Sequence, residues 1–291
     1  MAVPERLACI IHGSPRTTRI DLVQIRNCFS RTTVMIIIAP HSPFALTLAH
    51  PYLAAAGALG YGVHTASTVQ RVAPAALITP SVTHAGRSPD GPNRIHEYRG
   101  GLWVGEPWHD PGVQWVGRRA TPAWAQWHIP VIVSLDGADT HISNAARDLD
   151  QVEGIAGFEV AIAPHQHDLN ELLARLRSVI SLPLLVKLPL ADPHLLIPLV
   201  QQCDTHHIDA ITLCGAPHVA DGRYLSPALF PLTLYACQTI APTTSTPIIA
   251  CGGINDDASA RAVRAAGACA VQLGSVLLRD PDIIMRLPRD N

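Results

Sequence analysis

Lys187 is the one lysine among the 21 basic residues of this 291-residue chain; every other is arginine. It is therefore the first candidate for chemistry. An ammonium is compact and approaches the edge of a planar ring where the guanidinium fork cannot, and it can also condense with a carbonyl. Two further segments suit an anion: Cys251-Gly252-Gly253-Ile254 and Gln272-Leu273-Gly274-Ser275. Glycines there let backbone N–H groups come close to a phosphate, and a following helix start adds a favourable dipole. His165, after Ala163-Pro164, is the candidate proton acceptor, because imidazole titrates near neutrality. Cys214 is a second candidate and reads first as a small packed thiol.

These groups can act together only if the chain brings them to one place. Eight short apolar runs recur along it: Tyr52–Gly57, Ala75–Pro80, Pro130–Leu135, Gly157–Ala163, Leu182–Leu188, Asp209–Leu213, Thr246–Cys251 and Ala268–Gly274. They do not alternate strictly, as expected of parallel strands buried on both faces. Helical periodicity occupies Leu169–Ile180, Pro193–His206, Pro227–Ile240 and Asp256–Ala266. Asn255-Asp256-Asp257 is a helix start and Gly267 a stop. Eight strands joined by helices predict an α/β fold, a TIM-type (β/α)₈ barrel forming one domain over residues 31–291. An open doubly wound sheet would carry GxGxxG after its first strand, and none is present.

Two regions stand outside the alternation. Residues 1–30 carry no firm assignment and read as an N-terminal extension. Thr33–Leu48 reads as a β-hairpin that plugs the barrel bottom. His84–Gly112, rich in Pro, Gly and Trp, follows the second strand and is expected to build a flap over the site. Within it Arg94 and Glu97 are expected to pair, and Trp103 and Trp108 to roof a ligand or pack the flap. Asp136-Gly137 reads as a turn.

In this architecture the site lies at the C-terminal ends of the strands, with phosphate near the seventh and eighth. The two glycine turns end those strands, about 20 residues apart. Lys187 ends the fifth strand and enters the mouth from the other side. A phosphate cradle with one ammonium across the mouth fits FMN, the ammonium meeting the N1/O2 edge of the ring and favouring the anionic reduced form. A phosphate-binding barrel of aldolase or isomerase type, with Lys187 forming a Schiff base, is the other reading.

Composition excludes several classes. Hydrophobic residues make up 48% and charged residues 15%, enough for a large core and unlike a disordered chain. The formal net charge is −2, so there is no basic footprint for nucleic acid. Apolar stretches are cut by Pro, His or Gly before they could span a membrane, and the first residues lack the apolar core of a signal peptide. The seven cysteines are odd in number with no CxxC spacing, so they read as reduced thiols in a cytoplasmic protein. The 15 histidines are scattered, and the close pairs His165/His167 and His206/His207 read as surface residues, so no metal is expected.

Several blocks then resemble one family. TPIIACGGINDDASARAVRAAGACAVQLGSVLL is similar to the C-terminal FMN-phosphate block of dihydroorotate dehydrogenases. LPLLVKLPL resembles their lysine-bearing fifth strand, and GRYLSPALFPL their Gly-Gly-Leu-Ser-Gly-Pro-Ala segment. HPYLAAAGALGYG resembles the first strand, and GPNRIHEYRGGLW the stretch after the second. The likeness runs over residues 33–282 and is nearest the soluble class 1 branch. By position it implies that Ala56 and Gly57 contact the flavin ring and Lys187 its N1/O2 edge. It implies that Gly252, Gly253, Gly274 and Ser275 hold the phosphate, with Ser226 where the family has a glycine.

On the substrate side the likeness fails. The family lysine after the second strand falls in Thr79-Pro80-Ser81. The asparagine of the next stretch falls on Val104. The Asn-x-Ser-Cys-Pro-Asn stretch that supplies the Cys or Ser base reads Ala161-Ile162-Ala163-Pro164-His165, and the asparagine after the sixth strand becomes Leu213 or Cys214. Each lost polar partner costs on the order of 1–3 kcal/mol, and loss of the base about 10²–10⁴ in rate. The resemblance therefore implies an FMN oxidoreductase of the CH–CH type, by family a pyrimidine-biosynthesis enzyme, with altered or weak substrate chemistry. A catalytically inactive flavin-binding paralogue with a structural or regulatory role is the alternative. A homodimer is the expected assembly, and an electron-transfer subunit the partner the family implies.

Overall fold

Neighbouring residues of each apolar run face two different cores, which is why the runs look uniformly apolar in sequence. The computed structural model describes residues 35–39, 42–88, 95–105, 109–137, 139–162, 169–213 and 215–289. All lie within the unit Val34–Asn291. Residues 1–30, read above as an extension, and the candidate base His165 lie outside the described residues.

The strands in chain order are β1 (Ile36–Ile37), β2 (Thr47–Leu48), β3 (Tyr52–Ala54), β4 (Leu77–Ile78), β5 (Ile95–Tyr98), β6 (Gly101–Gly105) and β7 (Val131–Leu135). They continue with β8 (Gly157–Ala161), β9 (Leu184–Leu188), β10 (Ala210–Leu213), β11 (His218–Val219), β12 (Gly222–Leu225), β13 (Ile248–Cys251) and β14 (Ala270–Leu273). Strands β3, β4, β7, β8, β9, β10, β13 and β14 close in that order into an all-parallel barrel. Helices lie between strands, as in a TIM barrel: α1 (Ala66–Val72) after β3, α2 (Gly112–Trp115) and α3 (Thr121–Trp124) before β7, and α4 (Asp139–Leu149) after it. Next come α5 (Asn170–Val179), α6 (Pro193–Thr205), α7 (Phe230–Ile240), α8 (Asp257–Ala265), α9 (Ser275–Arg279) and α10 (Ile283–Arg286). All eight expected strands and the four expected helices are present.

Local sequence explains the helix limits. Asp192 caps α6 by accepting from the His194 N–H at 3.0 Å, with Pro193 in the first turn. Asp256 and Ser259 form a reciprocal capping box at α8, and the Asp256 carboxyl is held below its ordinary range by hydrogen bonds from the Ser259 side chain and backbone. Gly267, at φ +105°, ends that segment and turns the chain into β14.

Residues Tyr52, Leu77, Val133, Phe158, Val186, Ile211, Ala250 and Val271 face outward into the layer packed against the helices. Their neighbours Leu53, Ile78, Ile132, Leu185, Ala210, Ile249 and Ala270 face inward. That inner set joins Ile38, Ala39, Leu46 and Leu48, so the hairpin β1–β2 is the floor of the barrel, as expected. Two residues further along the same inward faces stand Ser134, Glu159, Lys187, Thr212 and Gln272, all buried. The barrel is thus apolar below and polar above, and the polar layer is at the end where the strands finish.

The expected flap is a four-stranded antiparallel sheet, β5-β6-β12-β11, built from two segments that leave the barrel after β4 and after β10. Arg87 anchors its base, reaching Asp136 at 2.6 Å and Asp110 at 3.7 Å. The chain bends at Gly137, at φ +127°, with Asp136 Oδ1 accepting from the Gly137 N–H at 2.8 Å. Arg94, the expected partner of Glu97, and Trp108 lie outside the described residues. Trp103 packs within the flap, its ring 5.5 Å from that of His96 and its indole N–H donated to Val219 O at 3.0 Å.

Two outcomes are expected. Ile38→Ala should destabilise the protein by about 2–5 kcal/mol in urea unfolding, because it opens a cavity under the inner core; a loss below about 1 kcal/mol would mean the hairpin does not seal the floor. His50 is buried, with Nε2 on Ala73 O at 2.9 Å and Nδ1 accepting from the Tyr52 N–H at 3.3 Å. Burial pushes its pKa below the ordinary value. The contribution of neutral His50 is therefore fully present above about pH 6.5 and is lost as pH falls toward the lowered folded value. His50→Gln should flatten that part of the stability–pH curve, and an unchanged slope counts against the assignment.

Candidate functional site

The inward polar layer is organised by one ion pair. Lys187 Nζ on β9 lies 2.7 Å from Glu159 Oε1 on β8, with the glutamate fully buried and the lysine nearly so. The second carboxylate oxygen accepts from Thr212 Oγ1 of β10 at 3.0 Å and from Gln272 Nε2 of β14 at 2.5 Å. Gln272 Nε2 also reaches Thr212 Oγ1 at 3.1 Å. Four barrel strands thus meet at one carboxylate. The geometry explains the type at position 187: a point charge on a straight stem fits between two strands, where a planar fork needs more room.

The glycine turns gather beside this layer. Ser226, Gly252, Gly253, Gly274 and Ser275, expected to hold a phosphate, line a single narrow cleft together with Gln272. None of the described residues that line it is a carboxylate, and its donor set suits an anion. Gly252 and Gly253 have φ of +116° and +70°. A Cβ on Gly252 would run into Gly215, and one on Gly253 into the backbone of Phe230, so close chain packing also demands both glycines. At Gly274 a Cβ would meet only Ala55 Cβ, at 3.6 Å, which is ordinary contact. The Ser226 hydroxyl donates to Gly100 O and accepts from the Ala228 N–H at 3.0 Å, tying the cleft to the flap. Gln272 Oε1 is buried, with no hydrogen-bond partner among the described residues.

A larger opening, about 280 Å³, lies at the ends of β8, β9 and β10. Lys187, Ala161 and Ile162 line it from the barrel, and His218 and Arg223 from the flap. Ala216 lines both openings, so the two adjoin. Ala56 and Gly57 follow β3 at the same end of the barrel, with Gly57 at φ +78° and its N–H on Ile78 O at 3.3 Å, but they line neither opening. Val104 is buried in the flap.

Cys203, Cys237, Cys251 and Cys269 are thiols outside any disulfide. Burial pushes the thiols of Cys203 and Cys237 up to about 12 and that of Cys269 to about 11, so these three are packing groups rather than nucleophiles. Cys214 lies outside the described residues. Among the described residues no helix is long and apolar enough to cross a membrane.

The sequence reading singled out neither Glu159, Thr212, His218 nor Arg223, and took Gln272 only as the start of the second glycine turn. Glu159 did leave a signal: it is the only charge in GFEVAIA, a run read as buried on both faces, and a carboxylate there requires a cation. Replacing it with leucine should cost about 3–5 kcal/mol, since Lys187 is left buried without its counter-charge. The double variant Glu159→Leu/Lys187→Met should regain most of that loss in urea unfolding. Strict additivity of the two single losses would show that the pair is not coupled.

No family model matches the chain. It is similar to a protein of Citrifermentans bemidjiense named dihydroorotate dehydrogenase B (NAD(+)), catalytic subunit, with 24% identity over 274 residues, 84% of this chain and 89% of the relative. The protein of the same name from Pelobacter propionicus is 26% identical over 265 residues, 81% and 86% of the two chains. That of Desulforudis audaxviator is 37% identical over 120 residues, 40% and 39%.

Proposed function

We propose that this chain is an FMN-dependent oxidoreductase of the dihydroorotate dehydrogenase type, acting on a CH–CH bond with altered substrate chemistry. The observation that carries the proposal is the convergence of Ser226, Gly252, Gly253, Gly274 and Ser275 on one acid-free cleft adjoining the Lys187 mouth. The likeness to dihydroorotate dehydrogenase B catalytic subunits over most of the chain supports the same family-level reading.

Bound FMN supplies the hydride acceptor. In this proposal the residues lining the cleft hold its phosphate through backbone N–H groups and the Ser275 hydroxyl. With FMN bound, Lys187 would offer its ammonium to the ring, Ala56 and Gly57 would contact it from β3, and Gln272 Oε1 would offer an acceptor to one of its hydroxyls. Glu159 is a positioning residue: it fixes Lys187 Nζ at the strand ends. His165 removes the substrate proton on the carbon next to the one that loses hydride. The flap covers the mouth and excludes water. The family likeness carries with it a cytoplasmic setting, pyrimidine biosynthesis as the default pathway, a homodimer and an electron-transfer subunit.

The test is the absorption spectrum of the purified protein, reconstituted with FMN and then mixed anaerobically with dihydroorotate. A flavin spectrum is expected, bleaching about 10²–10⁴ times more slowly than with an intact Cys or Ser base. Rapid bleaching would show the ordinary reaction and overturn the altered chemistry. Failure to take up FMN would overturn the whole proposal. Ser275→Glu places a carboxylate at the first turn of α9, where a helix tolerates it, and should weaken FMN binding at least about tenfold by repelling the phosphate without loss of folding. Unchanged FMN affinity would remove the cleft from the site.

A further inference from the structure

Lys187 does not bring a bare positive charge to the strand ends. Its Nζ lies 2.7 Å from Glu159 Oε1, and the other oxygen of that carboxylate is held by Thr212 Oγ1 at 3.0 Å and Gln272 Nε2 at 2.5 Å. Partners on β9, β10 and β14 thus fix the carboxylate in place. The ladder sets Glu159 beside Leu185 and Ala161 beside Lys187, so the carboxylate starts one inward step nearer the floor than the ammonium. Lys187 lines the mouth opening and Gln272 the glycine cleft, whereas Glu159 is among the described lining residues of neither. It acts on a ligand there only through its neighbours and through its charge. Stability alone does not call for it: well-packed apolar side chains commonly serve a buried site as well as an ion pair does, or better. What the carboxylate adds is a fixed negative charge directly under the ammonium.

We propose that Glu159 offsets the charge that Lys187 presents at the strand ends, and so holds down the preference of the site for an anionic ring over a neutral one. The inference rests on the flavin reading above, in which that ring is FMN. A flavin held as its reduced anion carries one more negative charge than the oxidised ring, so the charge around Lys187 enters the reduction potential directly. With Glu159 ionised, the pair sums to zero and the bias is small. With a neutral residue at 159, the site gains one unit of positive charge. Glu159 is fully buried, where screening by water and salt is weak. Other contacts of Lys187 are common to the parent and such a variant, and drop out of the comparison.

The experiment is measurement of the flavin reduction potential in the FMN-loaded full chain and its variants, by equilibration with redox dyes. Circular dichroism of each variant reports folding. Glu159→Gln should raise the potential by at least about 30 mV, which is a tenfold gain for reduced over oxidised flavin in a two-electron couple. The rise should persist at about 0.5 M salt, because a buried charge is little screened. Thr212→Val removes a neutral donor from the same carboxylate and keeps both charges, so it should move the potential by less than about 10 mV, roughly a twofold change. The double variant Glu159→Leu/Lys187→Met removes a pair of zero net charge and should stay within about 30 mV of the parent; it decides the matter if Glu159→Gln does not fold. An unchanged or lowered potential in Glu159→Gln overturns the proposal, as does a Thr212→Val shift of equal size, which would mark a purely structural role. A larger fall in the double variant overturns it too, since Lys187 would then act as an unbalanced charge. A parent chain that takes up no FMN overturns the flavin reading itself, and this proposal with it.

Discussion

A carboxylate inside a closed barrel must have a cation within reach, and this requirement shapes the interior. Glu159 is fully buried and shared among four strands through Lys187, Thr212 and Gln272. Without Lys187 it would be a buried charge held only by the neutral donors Thr212 and Gln272, a state that costs more than the pair contributes. The apolar floor below is compatible with that layer because the hairpin β1–β2 fills the remaining volume with Ile38, Leu46 and Leu48. Above it, the cleft and the mouth open at the strand ends. A chain that uses arginine everywhere else keeps its one lysine where a single interstrand charge is needed.

The fold was readable because parallel strands buried on both faces leave an unmistakable mark, short apolar runs spaced by helical periodicity. The glycine-lined cleft was readable for a related reason: glycines at the ends of adjacent strands, here β13 and β14, are brought together by barrel closure. The ion pair was half readable. Lys187 stood out by type, but Glu159 lay unremarked in GFEVAIA, because alternation between two buried faces does not show which side chains turn inward. Arg223 and His218 were not readable at all. They reach the mouth through the pairing of β11, β12 and β6, a long-range register that no local periodicity encodes.

The site therefore has two supports of different character. Lys187, Gln272 and the glycine turns sit at the ends of strands in the closed barrel, locked by hydrogen bonds on both sides. His218, Arg223 and Val104 sit on a sheet that touches the barrel mainly through its connections and through anchors such as Arg87 with Asp136 and Ser226 with Gly100. Residues of the first group set what the protein can hold in one fixed place. Residues of the second group line the opening above it from the flap.

The flap is sewn from two stretches that are far apart in the chain, Trp103 on one opposing Tyr224 on the other. Such a sheet gains its central pairing only after the barrel has carried the ends of β4 and β10 to the same rim, so it belongs to the late stages of folding. It is also a separate sheet, hydrogen-bonded within itself. Its strands pair with one another and with no barrel strand among the described residues, so parting them would leave the barrel ladder and the buried ion pair intact.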